Sequence, residues 1–285
     1  MINVLTAWKA VQSEATVTGD EVLGESECKG SAWKAVRLWQ CIKSRSFGVV
    51  PSRHLAHNSI NAYIILLYTL ALALPAYGQT KQKTATERGI ERQGFVDIKA
   101  IDPSIRVSLM YTRADNFTGQ VLYTDLHTAY LHPAAAAALK KAQAELKRLR
   151  PDLSLCVCDA ARPMTVQQKM YDVVRGTSKA IYVSNPKNGG GLHNYGLAVD
   201  VTLCDAATGD TLHMGTKVDH LGELAHVKGE TVFVKKKLIS QEALQNRQLL
   251  RKVMAAGGYK VLNTEWWHFN FKSRAEAKAN YKVIK

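Results

Sequence analysis

The stretch that most constrains this chain runs from Gly189 to Val201, Gly-Gly-Gly-Leu-His-Asn-Tyr-Gly-Leu-Ala-Val-Asp-Val. A glycine-rich approach leads to His193, a turn passes through Gly196, and an apolar, partly β-branched run from Leu197 to Leu203 follows. That run has the composition of a core strand. Asp200 lies inside it, and a carboxylate there is costly unless a cation or several donors satisfy it. His193 stands at the mouth of the same strand. A neutral imidazole and a carboxylate converging from the two ends of a tight segment suit a divalent metal such as zinc. A third ligand has to come from elsewhere, and Glu265-Trp266-Trp267-His268 offers His268.

The flanking sequence predicts the frame around this strand. Ile105 to Tyr111 alternates apolar and polar residues as a half-buried strand does. His132-Pro133 opens a helix, Ala134 to Arg150 continues it with Ala, Leu, Lys, Gln and Glu, and Pro151 stops it. Leu153 to Cys158 reads as a strand, and Asp159-Ala-Ala-Arg162-Pro163 leaves its end and leads into a helix from Thr165 to Arg175. Ser240 caps a further helix that ends at Gly257-Gly258. Tyr259 to Leu262 and Trp266 to Phe271 form a last strand pair. These elements predict an α+β fold, a single domain over 95–285 with a mostly antiparallel sheet carrying the zinc site and helices packed around it.

Upstream, residues 1–57 form an extension without a clear amphipathic period, and 79–94 read as a polar linker. Between them, 58–78 resembles an export signal. Ala62 to Ala76 is uncharged, follows the basic Arg53, and is shorter than the about 20 residues a bilayer span needs. Ala76 and Gly78 stand at −3 and −1 relative to Gln79. The expectation is an exported, periplasmic protein without stable membrane insertion after signal removal, translated from a start near residue 55. N-terminal sequencing of the exported protein tests this, and a mature chain beginning at Met1 would overturn it.

The net charge is +14, but the positive residues are scattered and no basic stripe with interleaved aromatics marks a nucleic-acid surface. Five cysteines fit no zinc-finger spacing. Cys156, Cys158 and Cys204 read as small buried hydrophobes, with a Cys158–Cys204 pairing across adjacent strands as the alternative.

Three ligands, His193, Asp200 and His268, leave a fourth zinc position open, which is the catalytic arrangement rather than the structural one. Glu265 precedes His268 by three residues, close enough to act as base on a zinc-bound water and to shuttle the proton to a leaving amine. In an ideal strand residues three apart face opposite sides, so a kink near Trp266 has to bring Glu265 round. Arg162, at a strand end, suits polarising a carbonyl and holding an oxyanion, or else a structural ion pair with Asp159 or Asp172. Asp219 is a candidate partner for a substrate ammonium. His127, His132, His213, His220 and His226 have no partner at ligand spacing.

His193 to Asp200 (HNYGLAVD), Glu265-Trp266-Trp267-His268 and Asp159-Ala-Ala-Arg162-Pro163 together resemble the motifs of the zinc D-alanyl-D-alanine dipeptidases, which include vancomycin-resistance enzymes and are related to D,D-carboxypeptidases. The resemblance spans most of 95–272. It implies one zinc ion per chain on His193, Asp200 and His268, Glu265 as general base, Arg162 on the scissile carbonyl, and Asp219 with Tyr111 at the amino end of a small D-amino-acid dipeptide. Family members often carry Ser two residues before the first histidine, where this chain has Gly191. The alternatives are a D,D-carboxypeptidase or peptidoglycan endopeptidase on longer peptides, and a zinc-stabilised binding module without catalysis.

Overall fold

The computed structural model describes residues 82–285; the N-terminal extension and the signal-like run lie outside them. Thr84 caps helix α1 (Ala85–Arg92): its hydroxyl accepts from the Glu87 N–H while the Glu87 carboxylate accepts from the Thr84 N–H. Ile90 on this helix is buried in the core. Residues read from sequence as linker therefore belong to the domain, because a capping box and one apolar anchor suffice to dock a short polar helix. Among the described residues no helix is long and apolar enough to cross a membrane.

The chain continues through β1 (Val96–Asp97), the short α2 (Ile98–Ile101) and β2 (Arg106–Val107) to β3 (Tyr130–Leu131), which pairs antiparallel with β1. The strand expected over Ile105–Tyr111 is cut short at Val107. Beyond it Met110–Thr112 turns, and the Tyr111 carbonyl accepts from the N–H groups of both Leu122 and Tyr123. Local hydrogen bonding to the 122–123 loop there replaces the ladder that the alternating pattern predicted.

Helix α3 (Pro133–Leu149) begins with proline at its first turn and has the His132 ring accepting from the Ala134 N–H. Its buried face follows a helical period through Ala135, Ala138, Leu139, Ala142 and Leu146. Gln143 on the same face is buried and satisfied: its carbonyl accepts from Leu155 N–H, and its amide donates to Ser104 and Ser154. This amide fixes α3 against β4 (Leu153–Asp159), all of whose residues are buried.

After β4 come α4 (Met164–Val174), β5 (Ala198–Asp205), α5 (Glu230–Lys235), α6 (Gln241–Ala256), β6 (Lys260–Leu262), β7 (Glu265–Asn270) and α7 (Arg274–Asn280). Ser240 caps α6 by accepting from Ala243 N–H, as its sequence position predicts. Just past this helix a Cβ on Gly257 would stand 2.5 Å from the Ala138 carbonyl, so only glycine allows α3 and α6 to approach there.

Five strands form one sheet in the order β2-β4-β5-β7-β6, antiparallel except for the β2–β4 pair. The strand containing Asp200 is thus central, and the mostly antiparallel α+β architecture matches the expectation. Two irregularities bear on function. The β4–β5 register shifts between Val157 and Asp159, which sets Asp159 opposite Asp200. The β6–β7 register shifts so that Val261 pairs with Phe269 but Leu262 pairs with Glu265. The three β7 residues in between, Trp266 to His268, are left without partners on β6. The cysteines Cys156, Cys158 and Cys204 are free and buried. Cys204 lies opposite Ser154, not Cys158, so the strand register rules out the alternative pairing of Cys158 with Cys204.

Candidate active site

Strand register brings three polar residues into one rung across the middle of the sheet. Asp159 on β4 pairs with Asp200 on β5, and Asp200 pairs with His268 on β7. His193 arrives from outside the sheet on a single helical turn, Leu192–Tyr195. Gly196 ends that turn with φ +61°, where a Cβ would meet Phe95 at 2.6 Å and the His132 nitrogen at 2.9 Å. Only glycine reverses the chain there and lets His193 fold back over the strand that holds Asp200.

His193, Asp200 and His268 converge on one point. His193 Nε2 lies 3.2 Å from Asp200 Oδ1 and 3.1 Å from His268 Nδ1, and His268 Nδ1 lies 2.9 Å from Asp200 Oδ1. The outer nitrogens are already committed. His193 Nδ1–H donates to the Ala160 carbonyl at 2.7 Å, and His268 Nε2–H donates to Asn270 Oδ1 at 2.9 Å. In the neutral imidazoles both facing nitrogens therefore carry lone pairs. Two lone pairs and a carboxylate oxygen at this separation repel unless a cation sits among them. Ligands about 2.0–2.1 Å from a tetrahedral ion stand roughly 3.3 Å apart, so the triangle fits a small divalent metal, and His–carbonyl and His–amide bonds of this kind orient metal ligands generally. Burial pushes the Asp200 carboxyl up, but in the metal-free site positive charge on the facing His193 and His268 rings outweighs it and holds Asp200 well below the usual carboxylate range.

Glu265 is buried beside the triangle, its Oε2 3.9 Å from His268 Nδ1. The Trp266–His268 segment, unpaired on its β6 side, is the kink that the spacing requires. Burial pushes the Glu265 carboxyl up to about 7, against the pull of His268. Of the two roles the sequence allowed Arg162, the ion pair with Asp159 forms, and the side chain also reaches the cleft. Its Nε and Nη2 clamp Asp159 Oδ2 at 3.0 and 2.5 Å, Nη1 donates to Gln167 at 3.0 Å, and the same side chain lines the cleft with Nη2 3.8 Å from Asp200 Oδ2. Burial works against its charge, but Asp159 together with Tyr111, Tyr123 and Asp200 outweighs it and keeps Arg162 cationic. Asp172, the other partner considered, instead accepts from Gln168.

Asp219 reaches the same cleft from the loop after β5. It has φ +72°, in the left-handed region that Asp tolerates better than most residues. Its carboxylate accepts from Tyr111 Oη–H at 2.9 Å and from Phe117 N–H at 2.9 Å. Burial nevertheless pushes it up to about 7. The cleft has a volume of about 300 Å³, at the low end for small-molecule sites.

The sequence profile of a peptidase family described as D-ala-D-ala dipeptidase matches residues 91–285. The chain belongs to this family. A D-alanyl-D-alanine dipeptidase of Escherichia coli (strain K12) is 32% identical over 181 residues, covering 64% of this chain and 86% of that protein. The protein of the same description from Enterococcus faecalis (strain ATCC 700802 / V583) is 26% identical over 62% of this chain and 90% of its own length. The Streptomyces coelicolor relative, also described as a D-alanyl-D-alanine dipeptidase, is 27% identical and 91% covered.

Against that family background, the departure at Gly191 acquires a physical reason. A Cβ on Gly191 would lie 2.9 Å from Ser184 Oγ, so the Ser184 hydroxyl occupies the space that a side chain at 191 would take. Ser184 lines the cleft, and its carbonyl accepts from Gln167 Nε2 at 2.8 Å, which ties it to the Arg162 cluster. Neither Ser184 nor Gln167 carries a local motif. His226, set aside on spacing, bonds Tyr182 Oη at 3.0 Å at the cleft wall. Of the other histidines, His132 caps α3, His213 bonds Ser240, and His220 packs under Gly222.

Proposed function

We propose that this peptidase hydrolyses D-alanyl-D-alanine, with one zinc ion held by His193, Asp200 and His268. The observation that carries the reading is the convergence of three lone-pair donors about 3 Å apart beside a buried glutamate. When bound, the ion supplies Lewis acidity to water and to a carbonyl oxygen. Glu265 moves the proton. Held near 7 by burial, its carboxylate takes a proton from the attacking water and passes it to the departing amine at neutral pH. Arg162 spends three of its five N–H donors on Asp159 and Gln167, which leaves two for the oxyanion of the tetrahedral intermediate. Asp219, oriented by Tyr111, pairs the substrate's ammonium.

The names of the relatives support this substrate, and the small cleft favours a dipeptide over longer peptides. A buried general base and an arginine with unspent donors count against a merely zinc-stabilised binding module. The test is release of free D-alanine from the dipeptide and from a pentapeptide ending in the same pair, with and without a chelator. Chelator-sensitive release from the dipeptide alone is expected, whereas preferential release from the pentapeptide would move the activity to the carboxypeptidases.

We also propose export to the periplasm. The uncharged run over 62–76, its basic approach and the small residues before Gln79 support it. A mature N-terminus at or near Gln79 is the expected result of sequencing the exported protein.

A further inference from the structure

Arg247 is fully buried in α6, and none of its polar bonds serves that helix. Nε donates to the Met214 carbonyl at 2.7 Å and Nη2 to the Leu224 carbonyl at 3.0 Å. These carbonyls flank the loop that carries Asp219. Nη1 faces Glu230 Oε1 at 3.3 Å, and Glu230 also accepts from Arg251 at 2.7 and 3.0 Å, so one carboxylate serves both guanidiniums. The guanidinium carbon also lies 5.3 Å from the centre of the Trp266 ring. Trp266 Nε1–H in turn donates to Thr216 Oγ at 2.8 Å, inside the same loop. Three points of the loop, Met214, Thr216 and Leu224, are therefore fixed by one arginine and the indole it stacks on.

Packing alone does not require this arrangement. Leu250, Val253 and Met254 already bury α6 against the core, and an apolar residue at 247 would fill the volume without a buried charge. The planar fork is suited to holding two carbonyls at once, which an ammonium does less well. Trp266 is adjacent to Glu265, so the clamp references the Asp219 loop to the strand that carries the base.

We propose that Arg247 is a positioning residue that, with Trp266, holds the 214–224 loop so that Asp219 faces the cleft. This rests on the reading of Asp219 as the acceptor of the substrate's ammonium. It also predicts that another large apolar residue will not replace the first tryptophan of Glu265-Trp266-Trp267-His268, because the indole N–H donates to Thr216.

The experiment compares the full chain with Arg247→Lys and, as a milder break of the same clamp, Thr216→Val. Three quantities are read: zinc content, the initial rate of tryptic cleavage after the exposed Lys217, and the ratio of catalytic efficiencies on free and N-acetylated D-Ala-D-Ala. Zinc should remain stoichiometric, and cleavage after Lys217 should accelerate while other sites keep their rates. The free-to-acetylated ratio should fall on the order of tenfold through misplacement of Asp219. In an Asp219→Asn background the same substitutions should lower the ratio no further, since both act through one carboxylate. An unchanged ratio with an unchanged Lys217 rate, or losses that add fully to that of Asp219→Asn, would overturn the proposal. Should Arg247→Lys fail to fold, Thr216→Val decides by the same criteria. If Asp219→Asn itself leaves the ratio unchanged, the ammonium reading has failed, and the Lys217 rate still reports whether Arg247 holds the loop.

Discussion

Glu265 and His268 are three residues apart on β7, yet their side chains meet, Glu265 Oε2 lying 3.9 Å from His268 Nδ1. A regular strand would send them to opposite faces of the sheet. They meet because β6 pairs with Phe269 and then with Glu265, leaving Trp266 to His268 outside that ladder. The two tryptophans are what hold the irregularity in place: both are buried, in edge-to-face contact with ring centres 5.3 Å apart. One distortion thus sets both the proposed base and the proposed ligand.

That relationship predicts the behaviour of Glu265→Gln. The amide keeps the shape and the burial, so the bulge and the three ligands should persist and zinc should stay near one per chain. The proton carrier is gone, and the rate on D-Ala-D-Ala should fall by about 10²–10⁴, the usual worth of general acid–base catalysis. Metal analysis alongside turnover checks it. Loss of zinc together with activity would show that Glu265 is a ligand and not the base.

Metal removal has a stability signature as well as a kinetic one. Without a cation, two lone pairs and the Asp200 carboxylate face each other about 3 Å apart, so the chelated protein should melt at a lower temperature. Added zinc should raise the melting temperature in a concentration-dependent way, the stabilisation reaching about 2.7 kcal/mol at a hundredfold excess over Kd. His268→Ala should abolish both this shift and the activity, because two remaining ligands bind weakly. A zinc-dependent shift that survives in His268→Ala would mean that the ligand set is wrong.

Arg162→Ala should have two separable consequences. Removing the guanidinium leaves Asp159 buried with only the Tyr123 Oη–H at 2.7 Å to satisfy it. Breaking a buried pair from one side typically costs about 3–5 kcal/mol. Losing the oxyanion donor should lower the rate on the order of 10²–10³. The double variant Arg162→Met with Asp159→Asn should recover much of the stability and none of the rate. Denaturant midpoints and turnover numbers measured on the three proteins distinguish the two roles, and wild-type turnover in Arg162→Ala would leave Arg162 purely structural.

Much of this site was legible in the sequence because its signals are local. A carboxylate inside an apolar run, a histidine beyond a glycine turn and an Arg-Pro at a strand end each announce a constraint within a few residues. The bulge at Trp266 could also be anticipated, since three-residue spacing on a strand demanded it. What stayed hidden depends on register and on packing between distant segments. Ser184 reaches the cleft only because Gly191 has no side chain. Gln167 gains its role by bridging Arg162 and Ser184 across α4. The α1 helix reads as linker because Ile90 is its only buried apolar residue, and its other buried side chain, Glu87, is held by the distant His127 N–H, beyond any local window. The strand expected to reach Tyr111 fails for a similar reason: the carbonyl at 111 is claimed by residues 122 and 123, a contact no local window contains.

Asp219 provides a prediction in pH. Burial pushes its carboxyl from 3.8 up to about 7, and the hydrogen bonds from Phe117 N–H and Tyr111 Oη–H only partly counter this. A carboxyl with a raised folded-state pKa binds its proton more tightly folded than unfolded, so its contribution to stability is full below the unfolded value. That contribution is lost progressively as pH rises from about 4 through about 7. In the metal-free protein the group therefore makes the fold less stable at pH 8 than at pH 4, by at most about 4 kcal/mol for a shift of roughly three units. Asp219→Asn removes the ionisation, so the difference in unfolding free energy between variant and wild type should grow in the variant's favour across that window and level off above it. Function should respond with the opposite sign. Both substrates need the Glu265 carboxylate and only the free dipeptide's ammonium needs that of Asp219, so wild-type efficiency should climb through about 7 on both substrates, and more steeply on free D-Ala-D-Ala than on the N-acetylated dipeptide. Urea titrations of the chelated proteins at several pH values, set beside pH profiles on the two substrates, test both halves. A stability difference that does not change with pH would mean that Asp219 is solvated and ordinary, and parallel profiles on the two substrates would remove it from the ammonium site.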